Sequence, residues 1–203
     1  MSVSDKGLLV VLSSPSGGGK TTIYRAILGR HADYLYSVSA TTRPPRGNEH
    51  DGVDYHFLSE EKFMRKIEAG DFVEWAYVHG HRYGTLKSAS KEALEKGAVM
   101  LLDLDVQGAD SMKKAFPEHA VNIFILPPAR VELEKRLRAR GTDSPDVIAQ
   151  RLINAEGEIR QALSYDYLAI NDDLTKCIDV VDSIITAELC RPWRVLPLEG
   201  WGI

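Results

Sequence analysis

A glycine-rich segment near the start of the chain carries the residue types that bind phosphate groups. Ser14-Pro15-Ser16-Gly17-Gly18-Gly19-Lys20-Thr21 follows the apolar run 8–12 and opens a stretch of helical character that ends at Arg30. Glycines let successive backbone N–H groups point at one phosphate, and the helix N-terminus adds its positive end. In such a motif the lysine reaches the β- and γ-phosphates, and the hydroxyl that follows it ligates Mg²⁺. The segment therefore predicts a nucleoside triphosphate site, although Ser14 stands where the motif has glycine.

Two aspartates follow another strong apolar run, residues 99–102. Asp103 and Asp105 stand at the carboxyl end of that predicted strand, where α/β sheets hold ligands. Side chains alternate along a strand, so the two carboxylates share one face and could act as a pair that holds the water shell of Mg²⁺ or supports the phosphate loop. An aspartate after a strand is as often a helix cap, and the sequence leaves both interpretations open.

A second candidate anion site lies in Arg43-Pro44-Pro45-Arg46. Proline fixes the backbone, so this stiff segment sets the separation of two guanidinium groups and lowers the ordering cost of gripping a phosphate. Tyr55 and Tyr83 follow and offer hydroxyl donors. Solvated loop arginines give the same pattern, so that interpretation also stays open. In a chain that binds a nucleoside triphosphate, a second phosphate site favours a nucleotide as acceptor.

Glu74 lies in the predicted strand segment Phe72-Val73-Glu74-Trp75-Ala76-Tyr77. Alternation places its carboxylate on the face of Phe72 and Ala76, among apolar neighbours. Guanine presents N1–H and its exocyclic amine as adjacent donors that one carboxylate accepts together, whereas adenine has no such pair. A buried acceptor left unpaired by adenine gives a discrimination on the order of 10²-fold or more. Glu74 is therefore a candidate guanine reader, the alternative being an exposed charge on an edge strand.

Residues 130–140 are strongly basic within an acidic chain. Arg136 and Arg140 lie one turn apart on the same predicted helical face. Such arginines can close over a triphosphate and neutralise charge as the phosphoryl group moves. A solvated basic helix face has the same composition and remains an alternative.

The composition restricts the classes of protein to consider. The chain has 203 residues, 44% hydrophobic and 27% charged, which is ordinary globular usage. Its 25 lysines and arginines against 29 acidic residues give a net charge of −4, so we expect no nucleic-acid partner and place phosphate affinity in local sites. Two cysteines allow no disulfide framework, and no apolar run is long enough for a signal peptide or a membrane span. We therefore expect a cytoplasmic protein without a membrane partner.

Four apolar runs, each followed by helical spacing, predict buried parallel strands alternating with helices. The predicted strands are 8–12, 98–104, 121–126 and 167–171, and the helices that follow them are 20–30, 108–115, 129–140 and 174–191. Ser144 and Pro145 resemble a helix cap and first position, which predicts a further helix to residue 163 and a helical hairpin from residue 129.

Residues 37–87 interrupt this alternation. Strand-like pieces near Val38, at 55–58 and at 72–78, with a capped helix over 59–69, predict an inserted domain. The tail 192–203, which contains Trp193 and Trp201, has no periodicity, and we expect it to pack against the body. The predicted fold class is α/β: a P-loop NTPase type of parallel sheet flanked by helices, with an inserted mixed α+β domain and a helical lid.

Together these residues resemble the guanylate kinase family, from about residue 8 to residue 189. The resemblance rests on ordered segments that span nearly the whole chain. They are the phosphate loop 14–21, Ser39-Ala40-Thr41-Thr42-Arg43-Pro44-Pro45-Arg46, Asp51-Gly52-Val53-Asp54-Tyr55, Tyr83-Gly84-Thr85, Asp103-Leu104-Asp105-Val106-Gln107-Gly108, Arg136 with Arg140-Gly141, and Asn171-Asp172-Asp173. The resemblance implies three parts: a core of residues 1–38, 89–129 and 159–203, a GMP-binding domain of residues 39–88, and a lid of residues 130–158.

The resemblance also implies a reaction and its residues. The reaction is Mg²⁺-dependent phosphorylation of GMP by ATP, with dGMP as a further expected acceptor. The residues implied to contact the transferring phosphates are Lys20, Arg136, Arg140 and Arg151. The implied ATP site comprises Ser14, Pro15, Ser16, Gly17, Gly18, Gly19, Lys20, Thr21, Thr22 and Asn171, with Thr21 holding Mg²⁺ and Asn171 near the adenine. The implied GMP site comprises Arg43, Arg46, Tyr55 and Tyr83 around the phosphate, Ser39, Glu74, Thr85 and Asp105 around the guanine, and Asp103.

Two other functions share part of this pattern. A kinase that acts on a phosphorylated sugar would keep the phosphate loop but would have no use for Glu74 and Thr85. A related module that binds phosphorylated protein segments would keep the acceptor site, and such modules commonly lose the phosphate loop, whereas Lys20 and Thr21 are present here. The sequence does not decide between a monomer and a homo-oligomer.

Overall fold

The computed structural model describes residues 6–78, 80–139, 141 and 143–196. The strands are β1 (Leu8–Ser13), β2 (Leu35–Tyr36), β3 (Ala40–Thr41), β4 (His56–Phe57), β5 (Phe72–Val78), β6 (His81–Leu86), β7 (Val99–Asp103), β8 (Ala120–Leu126) and β9 (Tyr167–Ile170). The helices are α1 (Lys20–Arg30), α2 (Glu60–Glu68), α3 (Lys87–Glu95), α4 (Val106–Ala115), α5 (Arg130–Ala139), α6 (Pro145–Gln161), α7 (Leu174–Leu189) and α8 (Pro192–Val195). A short 3₁₀ turn over Ala162–Ser164 follows α6.

A parallel sheet in the order β2-β7-β1-β8-β9 forms the centre of the molecule. Every residue of β1 is buried, and the strand pairs in parallel with β7 on one side and β8 on the other. One apolar cluster lies between the sheet and helices α1 and α7, and a second lies on the opposite face against α3 and α4. Burial on both faces explains why the strands read as continuous apolar runs. The predicted fold class is confirmed.

A second sheet, in the order β4-β3-β6-β5, is built from residues 40–86. Helix α2 covers it through Phe63, whose ring stacks on Phe72 with centroids 4.4 Å apart. Ser59 caps α2, its hydroxyl accepting from the backbone N–H of Lys62. Gly84 is required beneath this contact, because a Cβ there would lie 2.8 Å from Cδ1 of Phe72.

Helices α5 and α6 form a hairpin with an apolar core of its own. That core consists of Leu133, Leu137, Ile148, Leu152 and Ala155. Ser144 caps α6, and Pro145 occupies its first turn, as the sequence pattern predicts. The two helices of the hairpin are therefore packed on each other by a cluster that is separate from the core of the main sheet.

Several elements differ from the sequence-based expectation. No strand forms at Val38, and the neighbouring strands are β2 and β3, since Ser37 bonds through its N–H to Leu101 of the main sheet. Strand β6 and helix α3 were not predicted, because residues 81–95 lack a clear apolar period. The strand alternation assumed around Glu74 is also broken, since the pairing of β5 with β6 shifts register between Phe72 and Glu74.

The start of the tail forms helix α8, which packs against the body. Arg194 is buried and donates to the carbonyl oxygens of Gly7, Lys6 and Glu118, while the Trp193 ring lies edge-on to His119. Trp201 lies outside the described residues. In the part of the chain that the structure describes, none of the helices has both the length and the apolar character to cross a lipid bilayer.

Candidate active site

The segment between β1 and α1 folds as a phosphate loop. Gly17 and Gly19 adopt left-handed backbone angles, with φ of 95° and 99°, which a side chain would strain. The N–H of Gly18 donates to the carbonyl of Pro15 at 2.8 Å and closes the turn. The loop borders a cavity of about 350 Å³ at the N-terminus of α1. The residues that line this cavity are Ser14, Pro15, Ser16, Gly17, Gly19, Lys20, Thr21, Thr22 and Glu158.

Lys20 is held at the carboxyl edge of the sheet by two oxygens. Its Nζ lies 2.5 Å from Oδ1 of Asp103 and donates to the carbonyl of Leu104 at 3.1 Å. Asp105 does different work, because its Oδ1 accepts from the N–H of Gly108 at 2.8 Å and caps α4. The two aspartates therefore do not act as a pair on one partner. One orients the lysine of the phosphate loop, and the other fixes the helix that follows.

Asn171 lies against the phosphate loop. Its side chain is buried, and Nδ2 donates to the carbonyl of Gly18 at 2.8 Å. Its own backbone carbonyl accepts from Nη2 of Arg136 at 2.9 Å. The same amide explains the glycine at position 19, because a Cβ there would stand 2.3 Å from Nδ2. Asn171 therefore links the loop to an arginine of the hairpin.

The hairpin closes on the loop from the other side. A Cβ at Gly17 would lie 3.1 Å from Leu133 and 3.2 Å from Leu137, so α5 packs directly on the loop. From α6, Nη1 of Arg151 lies 3.2 Å from the hydroxyl of Ser16. The hairpin thereby brings Arg151 to the phosphate loop and Arg136 to Asn171, which itself bonds the loop. Arg140 lies outside the described residues.

Glu158 is a candidate that the sequence interpretation missed. It lies in α6, half-buried, at the wall of the phosphate-loop cavity. Burial raises the pKa of its carboxyl group; the positive charge of Lys20 opposes that shift and the negative charge of Asp105 adds to it. No motif marks this residue. The only signal is its spacing, since it falls seven residues after Arg151 and thus on the same face of the helix.

The second candidate anion site lies at the second sheet. Arg43 is only 5% exposed, and its guanidinium group meets both carboxylate oxygens of Glu49 at 2.8 and 2.9 Å. It also lies over the rings of Tyr55 and Phe57. Such a fixed, buried guanidinium is not a solvated loop arginine. Glu49, which positions it, was not predicted as a site residue.

Of the residues predicted to share this site with Arg43, the two tyrosines lie beside it and Arg46 does not. The rings of Tyr55 and Tyr83 meet edge-on with centroids 6.0 Å apart, and the Tyr83 hydroxyl adds to the effect of Glu49, which is the main cause of the raised pKa of the Arg43 guanidinium. Arg46 is exposed, and its backbone N–H donates to Glu49 at 2.7 Å. The structure therefore brings Arg43, Tyr55 and Tyr83 together and leaves the Arg46 side chain in solvent.

Glu74 and Thr85 form a bonded pair across β5 and β6. The Thr85 hydroxyl donates to Oε1 of Glu74 at 2.6 Å, and Thr85 is buried. Burial raises the pKa of the Glu74 carboxyl, and the negative charge of Asp105 acts in the same direction. Ser39 is half-buried beside β3, where its carbonyl accepts from His56. This arrangement offers a carboxylate acceptor in a largely desolvated setting.

The oxygen donors at the phosphate loop fit an ion that arrives with a nucleotide. Thr21 contributes a hydroxyl and Glu158 a carboxylate to the wall of the cavity. Among the described residues, no three His, Cys, Asp or Glu side chains stand close enough together to hold a metal by themselves. Mg²⁺ commonly binds through one or two protein oxygens, water and substrate phosphates, so the donor set suits it.

A phosphate loop at a parallel sheet, together with a separate candidate anion site on an inserted sheet, is characteristic of a P-loop kinase of a small phosphorylated acceptor. The family comparison is more specific: the sequence model described as "Guanylate kinase" matches residues 6–188, and the chain belongs to the guanylate kinase family. Proteins of this family are ATP:GMP phosphotransferases, a class of nucleoside monophosphate kinases.

Individual relatives agree with this assignment. The guanylate kinase of Syntrophotalea carbinolica is 50% identical over 194 residues, which cover 96% of this chain and 92% of that one. The guanylate kinase of Myxococcus xanthus is 47% identical over 190 residues, covering 93% and 90%. The crystal structure of guanylate kinase from Anaplasma phagocytophilum is similar with a TM-score of 0.73 at 35% identity, covering 93% of this chain and 89% of that one.

Proposed function

We propose that this chain transfers the γ-phosphoryl group of ATP to GMP, and to dGMP, and releases ADP with the corresponding diphosphate. The observation that carries the proposal is the placement of two anion sites around Asp103. That carboxylate bonds Lys20 of the phosphate loop, and its negative charge also acts on Tyr55 of the second site, whose pKa is raised mainly by burial. Donor and acceptor phosphates bound at these sites would face each other.

The residues of the phosphate loop and the hairpin supply binding and charge neutralisation. Phosphoryl transfer needs little covalent participation by protein, so positioning and electrostatic stabilisation account for most of the rate. Lys20 would contact the β- and γ-phosphates, while Arg136 and Arg151 approach from the hairpin and Arg140 completes the set. In this scheme Asn171 acts on the phosphate loop in addition to lying near the adenine.

The acceptor half selects the base and fixes its phosphate. Arg43, Tyr55 and Tyr83 would hold the GMP phosphate, with Arg46 joining from solvent. Glu74 would accept N1–H and the exocyclic amine of guanine, while Thr85, Ser39 and Asp105 support the base. AMP has no adjacent pair of donors for the Glu74 carboxylate, so in this partly desolvated site only the bond from Thr85 would remain, which is costly.

Thr21 would hold Mg²⁺ through its hydroxyl, and the ion would screen the negative charge of the triphosphate. The parts of the chain would divide as core 1–38, 89–129 and 159–203, acceptor domain 39–88 and lid 130–158. Closure of the acceptor domain and the lid would exclude water, so that GMP and not water receives the phosphoryl group. The free thiols Cys177 and Cys190 and the use of ATP support a cytoplasmic location.

A coupled assay with GMP, AMP, CMP and UMP tests the proposal. We expect kcat/KM for GMP to exceed that for AMP by roughly 100-fold or more, the loss caused by an unpaired buried acceptor. Comparable rates with AMP and GMP would exclude base reading by Glu74. Lys20→Ala should abolish turnover with every acceptor, and an unchanged rate in that variant would overturn the role of the phosphate loop.

A further inference from the structure

Three carboxylates, those of Asp103, Asp105 and Glu158, lie in the region of Lys20, and the structure gives hydrogen-bond or ion-pair partners to two of them. Asp103 is bonded to Lys20 itself, and Asp105 is engaged by the N–H of Gly108. Glu158 is different, because among the described residues its oxygens take part in no hydrogen bond and no ion pair, although the residue is half-buried at the wall of the phosphate-loop cavity. Its carboxylate is therefore free to accept a cation or a hydrogen-bond donor from a ligand that enters the cavity.

At this location the carboxylate of Glu158 would weaken the binding of a triphosphate that carries no metal ion. A triphosphate in this cavity would place several negative charges near Glu158, and like charges a few ångströms apart in a partly desolvated site repel strongly. A divalent cation between them reverses the sign of the interaction. Thr21, which lines the same cavity, supplies a second oxygen donor.

We propose that Glu158 is the carboxylate through which this chain holds Mg²⁺ when ATP is bound, so that ATP binding depends on the metal. The proposal rests on the ATP site of the proposed function. Because α6 belongs to the hairpin that also carries Arg151 to Ser16, a metal held by Glu158 fastens this part of the lid to the donor nucleotide.

The test measures binding and not turnover. The dissociation constant of ATP is determined by calorimetry without GMP, once with EDTA and once with excess MgCl₂, for the wild-type chain and for Glu158→Gln. In the variant, metal-free ATP should bind more tightly because a like charge is gone, and ATP with Mg²⁺ should bind more weakly because an oxygen ligand is lost. The dissociation constant of ATP in EDTA divided by that in MgCl₂ should be smaller in the variant than in the wild type by roughly tenfold or more, as expected for one unit charge in a partly screened site.

Glu156→Gln is the matched control, because it removes a carboxylate from the same helix that is paired with Arg130 at 2.9 Å and lies outside the phosphate-loop cavity. Its ratio should equal that of the wild type. If Glu158→Gln fails to fold, Glu158→Asp keeps the charge on a shorter arm and should reduce only the Mg²⁺-dependent affinity.

A ratio that stays constant in Glu158→Gln, whether both constants move together or neither moves, overturns the role of Glu158. The same holds for a ratio that increases. Failure of the wild-type chain to bind ATP under either condition would instead refute the ATP site of the proposed function, so the two failures are distinguishable.

Discussion

Asn171 holds the phosphate loop in place through Gly18: its Nδ2 donates to the Gly18 carbonyl at 2.8 Å although 153 positions separate the two residues. The backbone carbonyl of Asn171 receives Nη2 of Arg136. A single residue after β9 therefore bonds both to the phosphate loop and to an arginine of the hairpin.

Replacement of this amide should loosen the loop. Asn171→Ala removes the donor and leaves the Gly18 carbonyl without its partner, which costs about 1–3 kcal/mol of unfolding free energy. We expect the KM for ATP to rise while the KM for GMP changes little, measured by steady-state kinetics alongside chemical denaturation. Asn154→Ala, an exposed asparagine bonded to Gln150 in α6, is the control and should change neither quantity.

Arg43→Lys should damage the acceptor site selectively. A lysine cannot reproduce the two-pronged contact with Glu49 or lie flat over the Tyr55 ring, so the cation at this position is no longer fixed. The KM for GMP should rise by roughly 10- to 100-fold, since charge-assisted bonds are the strong ones, with the KM for ATP unchanged. Arg65→Lys, on the exposed side of α2, serves as the control, and an equal loss in both variants would contradict a specific role for Arg43.

The use of GMP should depend on pH through Glu74. Burial raises the pKa of this carboxyl group, so its neutral form begins to populate at a higher pH than that of a free glutamate. Only the ionised form accepts both guanine donors, so the affinity for GMP should fall as pH decreases through this raised pKa, by at most about tenfold per pH unit. Above that pKa the affinity should be level.

The matched variant separates this effect from titration of the GMP phosphate. In Glu74→Gln the change of KM with pH that is assigned to Glu74 should disappear, while any change caused by titration of the GMP phosphate should persist. Measurement of KM for GMP between acidic and neutral pH decides the matter. Identical profiles for the two proteins would show that Glu74 does not read the base in its ionised form.

Two glycines near α1 should respond oppositely to alanine. Gly17→Ala places a side chain at a left-handed backbone position against Leu133 and Leu137, which should lower stability by about 1–2 kcal/mol and raise the KM for ATP. Gly29 lies within α1, and a Cβ there meets nothing within 4 Å, so Gly29→Ala should raise stability by up to about 1 kcal/mol and leave kinetics unchanged. Thermal melting and kinetics of both variants test the contrast.

The parts of the molecule that sequence reasoning predicts well are those with local signals. The buried strands of the main sheet are continuous apolar runs, and Ser59 and Ser144 stand at helix starts as capping rules require. The phosphate loop is likewise written in consecutive residues. Arg43, Tyr55 and Tyr83 are predicted to share a site because they lie in one inserted segment, and the structure brings their side chains into one place.

What the sequence did not reveal depends on contacts between distant segments. Glu49 and Glu158 have no motif, since each acquires its position only when a turn or a helix packs over another element. Strand β6 has the sequence His-Arg-Tyr-Gly-Thr-Leu, which is mostly polar, so it lacks the apolar period of a core strand. The role of Asn171 as a partner of Gly18 follows from the parallel pairing of β8 and β9 and from no local pattern.

Strand β1 lies in the middle of the main sheet, bonded on both sides and buried along its length, and the phosphate loop is attached to its end. Its amide protons should therefore exchange with solvent only when the whole molecule opens, whereas the two-residue strands β3 and β4 should exchange through inexpensive local opening. The main sheet, which carries the phosphate loop, is thus the more rigid part of the enzyme. Binding of the acceptor nucleotide should therefore order the second sheet more than binding of ATP orders the main sheet.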